Sequence, residues 1–297
     1  MKRTKKAKTP EKFDFLFGSD FHIWFEQPPC RTDNYVRAMQ NKLIQIRTLQ
    51  EKYQCPFLHG GDLFEFWKTS PELLSFATEF LPRDFRTVMG QHDFRNHDLT
   101  TYKSTGIRTL EINNRVTILP GLHWGQDLEE YEDCLLDFGG RKVLILHYFT
   151  FRGKEPWPGC TAEEVSEVLD KFPKADLTII GDNHKTFQYE EDGRKIISPG
   201  SLMRRRADQH NHVPSIWGYC AGDNSIHRIV LEYEKDVISR EHIDIPKEEK
   251  DRLEHFLKMM DIDYEIEFDF KDNVLHILES NDVQGRTKRH VLEAIEE

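Results

Sequence analysis

Asp20-Phe21-His22, Gly61-Asp62, Gly90-Gln91-His92-Asp93, His147 and Gly181-Asp182-Asn183-His184 bring carboxylate, imidazole and amide groups to five points of the chain, each beyond an apolar run. These are oxygen and nitrogen donors, with no cysteine among them. Such a set suits Mn²⁺, Mg²⁺, Fe²⁺ or a mixed site containing Zn²⁺, not a sulfur-rich structural zinc. The chemistry it points to is that of a two-metal hydrolase. Asp62 follows a Gly-Gly pair, which sets a carboxylate on a sharp turn where it can bridge two cations. Taken singly, Asp62 would read as a turn residue satisfying its own backbone, and His147 or His184 as a core histidine. The order of the whole set, on alternating strand and helix patterns, outweighs those readings. Gln91 offers an amide oxygen, His92 a proton donor, and Asp93 a carboxylate to orient that donor, with a helix N-cap as the competing role for Asp93.

The elements that must position these residues follow from periodicity. Apolar runs at Phe13–Phe17, Pro56–His59 and Phe85–Met89 read as strands, each stopped by glycine or a polar turn. Between them, Asp33–Lys52 carries Tyr35, Met39, Leu43, Ile46 and Leu49 at helical spacing, with Asp33 as the expected cap. Ser70-Pro71-Glu72 opens a second helix to about Phe80, with proline at its first position. Alternation of this kind gathers functional residues beyond the carboxyl ends of strands. The second half is richer in strands: Val116–Leu119, Val143–Leu146, Leu177–Ile180, Thr186–Tyr189, Lys195–Ile197, Ile216–Cys220 and Ile226–Leu231, with one helix at Ala162–Lys171. From about Lys247 the pattern changes to helix, two alternating strands and helix, a small α/β appendage. The expected organisation is a basic disordered tail over 1–12, a catalytic domain over 13–240, and a C-terminal cap over 241–297.

The five segments, followed by Ser198-Pro199-Gly200-Ser201, resemble the calcineurin-like metallophosphoesterase superfamily. Within it, Gly61-Asp62-Leu63-Phe64 and then Ser70-Pro71-Glu72-Leu73-Leu74 are similar to the SbcD-type (meiotic-recombination-eleven-type) DNA repair nucleases and their phage counterparts, over about residues 13–231. The resemblance implies an α/β fold, a four-layer α/β/β/α sandwich with a small C-terminal α/β cap. It implies one metal held by Asp20, His22 and His184, a second by Gln91, His147 and Asp182, and Asp62 between them. It further implies a DNA exonuclease or endonuclease of repair or recombination, a homodimer through helices near 71–80 and after Phe94, and an SbcC-like coiled-coil ATPase partner. The chain departs from the family pattern at two places. Gln91 stands where asparagine is usual, and Asp182 where the pattern has histidine. Both keep a ligand atom, and the carboxylate hardens the site, favouring Mn²⁺ or Mg²⁺ over Zn²⁺.

Charge pulls the other way. The formal net charge is −11, whereas affinity for nucleic acid is driven by neutralising phosphates. Basic residues are grouped locally, at Lys2–Lys8 and at Arg204, Arg205 and Arg206, which follow the Pro-Gly-Ser turn and are candidate phosphate contacts; the competing reading is a solvated charge run. Trp24-Phe25 and Trp157 are candidates to stack on bases or simply to pack loops. His59, His97 and His123 read as structural. A small-substrate phosphoesterase and a non-catalytic DNA-end module therefore stand beside the nuclease reading. Five scattered cysteines without a CxxC pair point to reduced thiols and a cytoplasmic setting, in the host if the source is a phage, and no apolar stretch spans a membrane.

Overall fold

Period-two alternation gives the first strand two jobs. In Phe15–Gly18 (β1), Phe15 and Phe17 face one way and Leu16 the other, and all are buried. Leu16 packs with Met39, Leu43 and Phe57 beneath helices. Phe15 and Phe17 instead join Leu58, Val143, Ile145, Ile179 and Tyr219 in a cluster drawn from two sheets. The computed structural model describes residues 10–156, 160 and 162–239. Most of the expected tail, Trp157 and the expected cap over 241–297 lie outside these residues.

The first sheet runs on from β1 in parallel through Phe57–His59 (β2), Phe85–Thr87 (β3) and Thr117–Ile118 (β4). The second is built on three mutually parallel strands, Arg141–His147 (β6), Leu177–Gly181 (β9) and Arg194–Ser198 (β11), with antiparallel edges at Leu136–Phe138 (β5) and Phe187–Glu191 (β10). Thr150–Phe151 (β7) and Glu163–Glu164 (β8) form a separate short pair. The chain then returns to the first sheet as a hairpin, Ser215–Cys220 (β12) and Ser225–Val230 (β13), with β12 antiparallel to β1. Among the described residues each expected strand is present, its ends displaced by at most two residues; the two strands expected after Lys247 lie outside them.

The helices cover the outer faces. In Tyr35–Tyr53 (α1) the expected stripe of Tyr35, Met39, Leu43 and Ile46 is buried. Its cap is Asn34, whose side chain accepts from the Arg37 N–H, and not Asp33. Asp33 is drawn away by Arg31, 2.6 Å from its carboxylate. Pro71–Phe80 (α2) is capped by Ser70 as its sequence predicts. Gly106–Ile112 (α3) completes this layer. On the second sheet Val165–Lys171 (α4) buries Val165, Val168 and Leu169 against Leu144, Leu146, Ile180 and Ile196. It starts three residues later than expected, because Glu163 and Glu164 extend as β8 and Glu164 accepts from the Ser166 N–H. The result is the α/β/β/α layering that the resemblance implies. No described helix is long and apolar enough to cross a membrane.

Candidate metal centre

Five parallel strands, β1, β2, β3, β6 and β9, bring their carboxyl ends to one rim, and the candidate residues stand at or just beyond them. Asp20 and His22 come two and four residues after β1, Asp62 three after β2, Gln91 four after β3, and Asp182 and His184 directly after β9, while His147 is the last residue of β6. Neighbouring loops are laced together. Asp20 N–H donates to the Gly61 carbonyl (3.1 Å), His22 N–H to the Asp62 carbonyl (3.0 Å), and Asp182 N–H to Asp20 Oδ1 (3.0 Å). Asp20, His22, Asp62, Asp182 and His184 all adopt positive φ, at 55°, 45°, 57°, 88° and 60°. Left-handed backbone is costly for a residue with a side chain, and its concentration at five ligand candidates marks strain held for function.

The side chains converge. Asp20, His22 and His184 offer ligand atoms within 4.8 Å of one another, and so do Asp20, Asp62 and His147, and His22, Asp62 and His92. Asp62 Oδ2 lies 3.6 Å from His22 Nε2 and 3.4 Å from His147 Nε2, which is the position of a shared carboxylate. His22 Nε2 and His184 Nε2 meet at 2.9 Å. Gln91 donates its amide N–H to Asp182 Oδ1 at 2.8 Å, which turns its Oε1 inward. Backbone must come close here. A Cβ at Gly90 would sit on Asp62 Oδ1, and one at Gly61, where φ is +98°, would sit on the His147 ring.

The fit to a divalent cation rests on atoms left without partners. Asp20 Oδ2, Asp62 Oδ2, Gln91 Oε1 and His147 Nε2 are buried and make no hydrogen bond. A buried polar atom left unpaired costs ~1–3 kcal/mol, and a cation in their midst would satisfy them together. The donors are oxygen and imidazole nitrogen only; all five cysteines are free and none lies in these groups. The imidazoles are anchored from behind, as ligand histidines are. His147 Nδ1 lies 2.7 Å from the Gly60 carbonyl, His22 Nδ1 2.9 Å from the Glu65 carboxylate, and His92 Nδ1 2.8 Å from the Glu65 carbonyl.

The carboxylates govern the protonation of the imidazoles beside them. Burial alone would lower the pKa of His147, but the Asp62 carboxylate 3.4 Å away, with Asp20 and Asp182, pushes it up to about 10. His22 is raised in the same way: burial opposes, and Glu65, Asp62 and Asp20 prevail. Asp62 moves well below the ordinary carboxylate range, since His147, His22 and His92 outweigh its burial. Burial raises Asp182 and lowers His184.

Two expectations are corrected. Asp93 does not orient His92: its carboxylate accepts from the backbone N–H groups of Gly90, Asp62, Leu63 and Phe64, clamping the β2 and β3 loops together. Those four donors favour its charge, yet burial and Asp62 raise its pKa to about 6. The groups that hold His92 are the Glu65 carbonyl and Asp62 Oδ1, which accepts the His92 N–H at 3.0 Å. Arg204 is not a phosphate contact. It is buried, stacks over Tyr233, and donates to the carbonyls of His210, Glu234 and Lys235. Arg205 pairs with Glu65 and lines a 240 Å³ cavity with His22, His92, His184 and Arg206, whereas Arg206 is exposed. His59 and His123 are structural, the one bonded to Thr87 and the other accepting from Met89 N–H. Glu65 was invisible in the sequence: it stands one residue past Gly61-Asp62-Leu63-Phe64, and no spacing marks it.

A rim of this kind defines a metal-dependent hydrolase of phosphate esters. Residues 14–216 match the calcineurin-like phosphoesterase superfamily domain, and the chain belongs to that superfamily. Among solved structures it is similar to an archaeal phosphodiesterase (14% identity, 73% of this chain and 99% of the other, TM-score 0.41). It is also similar to a metallophosphoesterase from Sphaerobacter thermophilus (15%, 74% and 89%, 0.39) and to Vps29 complexed with zinc from Entamoeba histolytica (15%, 74% and 99%, 0.34). No curated protein matches the chain.

Proposed function

We propose that this protein is a phosphodiesterase acting on DNA with two divalent cations, Mn²⁺ before Mg²⁺, as a nuclease of the SbcD type in repair or recombination. The observation that carries the polymeric substrate is the shape and charge of the space beside the cluster. The 240 Å³ cavity shares His184, Arg206 and Gln209 with a second of 590 Å³. The larger one is also lined by Lys185 and Arg228, against the single carboxylate of Asp208. Such a continuous cationic groove suits successive backbone phosphates.

In this reading Asp20, His22 and His184 would hold one cation and Gln91, His147 and Asp182 the other, with Asp62 available to both. Bound cations supply Lewis-acid polarisation of the phosphoryl oxygens and an activated water. The chain's own residues do the rest. The Glu65 carbonyl accepts from His92 Nδ1, which turns Nε2 to the cavity as the atom that would give a proton to the leaving oxygen. Such help is typically worth ~10²–10⁴-fold. Arg205, whose buried Nε–H has no partner, and the exposed Arg206 meet the phosphates. By the same resemblance the working unit is a cytoplasmic homodimer joined through α2 and the stretch after Phe94, with an SbcC-like ATPase. The second reading, a small-substrate phosphoesterase, is favoured by the net charge of −11.

A substrate panel separates them. Linear duplex and single-stranded DNA, a chromogenic phosphodiester and a chromogenic phosphomonoester are compared at equal enzyme with Mn²⁺. The nuclease reading predicts that DNA is degraded at a higher kcat/KM than either chromogenic ester. Turnover of the small esters with intact DNA supports the second reading instead.

A further inference from the structure

Glu65 makes two different contacts to two different imidazoles. Its carboxylate, 18% exposed, lies 2.9 Å from His22 Nδ1 and also pairs with Arg205. Its main-chain carbonyl lies 2.8 Å from His92 Nδ1. The residue is itself held in place. Phe64, just before it, bridges Ile23 in parallel, Glu65 N–H donates to the Ile23 carbonyl, and Phe64 N–H donates to Asp93. Both contacts fall on the nitrogen that faces away from the cluster, and both partners can only accept. The His92 contact is a hydrogen bond that holds a proton on its Nδ1, while His22 Nδ1 meets the Glu65 carboxylate at ion-pair distance, so Nε2 of each ring is the atom presented to the site.

We infer that Glu65 is the positioning residue of this centre, its carboxylate aiming His22 at the cation and its main-chain carbonyl aiming His92 at the substrate. The inference rests on the reading of His22 as a metal ligand. It assigns the side chain and the backbone of one residue to separable tasks. Removing the carboxylate releases His22 and leaves the carbonyl that holds His92. A carboxylate behind a ligand imidazole also strengthens the imidazole as a donor, so Glu65 acts on affinity through charge as well as orientation. Glutamine at this position keeps an oxygen acceptor for Nδ1–H and loses the charge. It should therefore fall between the wild type and alanine.

The test is calorimetric titration of the whole metal-free chain with Mn²⁺ alone, without substrate. Glu65→Ala should weaken one of the two binding events by roughly 10–100-fold, the range for loss of a partner behind a ligand, and Glu65→Gln by less. The distinguishing measurement is a double-mutant cycle: in a His22→Ala background, Glu65→Ala should cost nothing further, because it acts through the ring already removed. If Glu65→Ala does not fold, the Glu65→Gln variant carries the same cycle. Wild-type affinity in the Glu65 variants, or an undiminished penalty in the His22→Ala background, overturns the assignment while leaving the metal centre standing. A wild-type chain that binds no divalent cation overturns both.

Discussion

Metal binding at this centre must expel a proton, and the structure says from where. In the metal-free protein His147 is fully buried beside Asp62, and its pKa is pushed up to about 10. Near pH 7.5 its Nε2 is therefore protonated, and a cation can use that nitrogen only by displacing the proton. A gap of about 2.5 pH units corresponds to roughly 3 kcal/mol, or an apparent affinity lowered about 300-fold. Titration with Mn²⁺ in buffers of different ionisation enthalpy should report about one proton released at the His147 site, and log Kd should fall by about one per pH unit between pH 6.5 and 8.5. The sign for stability is the reverse. A raised imidazole pKa stabilises the metal-free fold fully below its ordinary value of 6.5, and that stabilisation is lost as pH rises towards about 10. The metal-free protein should therefore become less stable across this window. Metal affinity independent of pH, with no proton released, would refute the assignment of His147.

Other perturbations separate the site from its scaffold. Gly90→Ala should displace Asp62, abolish Mn²⁺ binding in calorimetry, and cost ~1–3 kcal/mol of stability by overpacking. Arg204→Ala should lower stability by ~2–4 kcal/mol in urea titration, since three carbonyl partners lose their donor. Arg206→Ala should leave stability unchanged and reduce the salt dependence of DNA binding by about one phosphate contact. Ile179→Ala, between the two sheets, should cost ~2–5 kcal/mol in the same urea titration with the metal sites intact.

The strands and helices were legible because their signals are local. The α1 stripe and the Ser70-Pro71 start each depend on a few neighbouring residues. The ligand set was legible because each member directly follows an apolar run. Competition between neighbours was not. Asp33 is a good cap by type, but Arg31 claims it and Asn34 takes the role. The Arg204–Arg206 run looks uniform in sequence and divides into a buried strut, a paired rim residue and an exposed cation, because only the fold determines which side faces Tyr233. Asp93 and Glu65 were misread or missed for one reason: their partners are backbone groups or residues far along the chain. The left-handed backbone at five ligand candidates has no sequence signature at aspartate and histidine.

We propose a two-cation centre that cuts DNA with His92 as its proton donor. The most direct measurement is cleavage of end-labelled linear DNA with Mn²⁺ by the wild type, His92→Ala and Asp62→Asn. Such a centre predicts robust cleavage by the wild type, a kcat lowered ~10²–10⁴-fold by His92→Ala with KM nearly unchanged, and no cleavage by Asp62→Asn. Equal cleavage by all three proteins would contradict it.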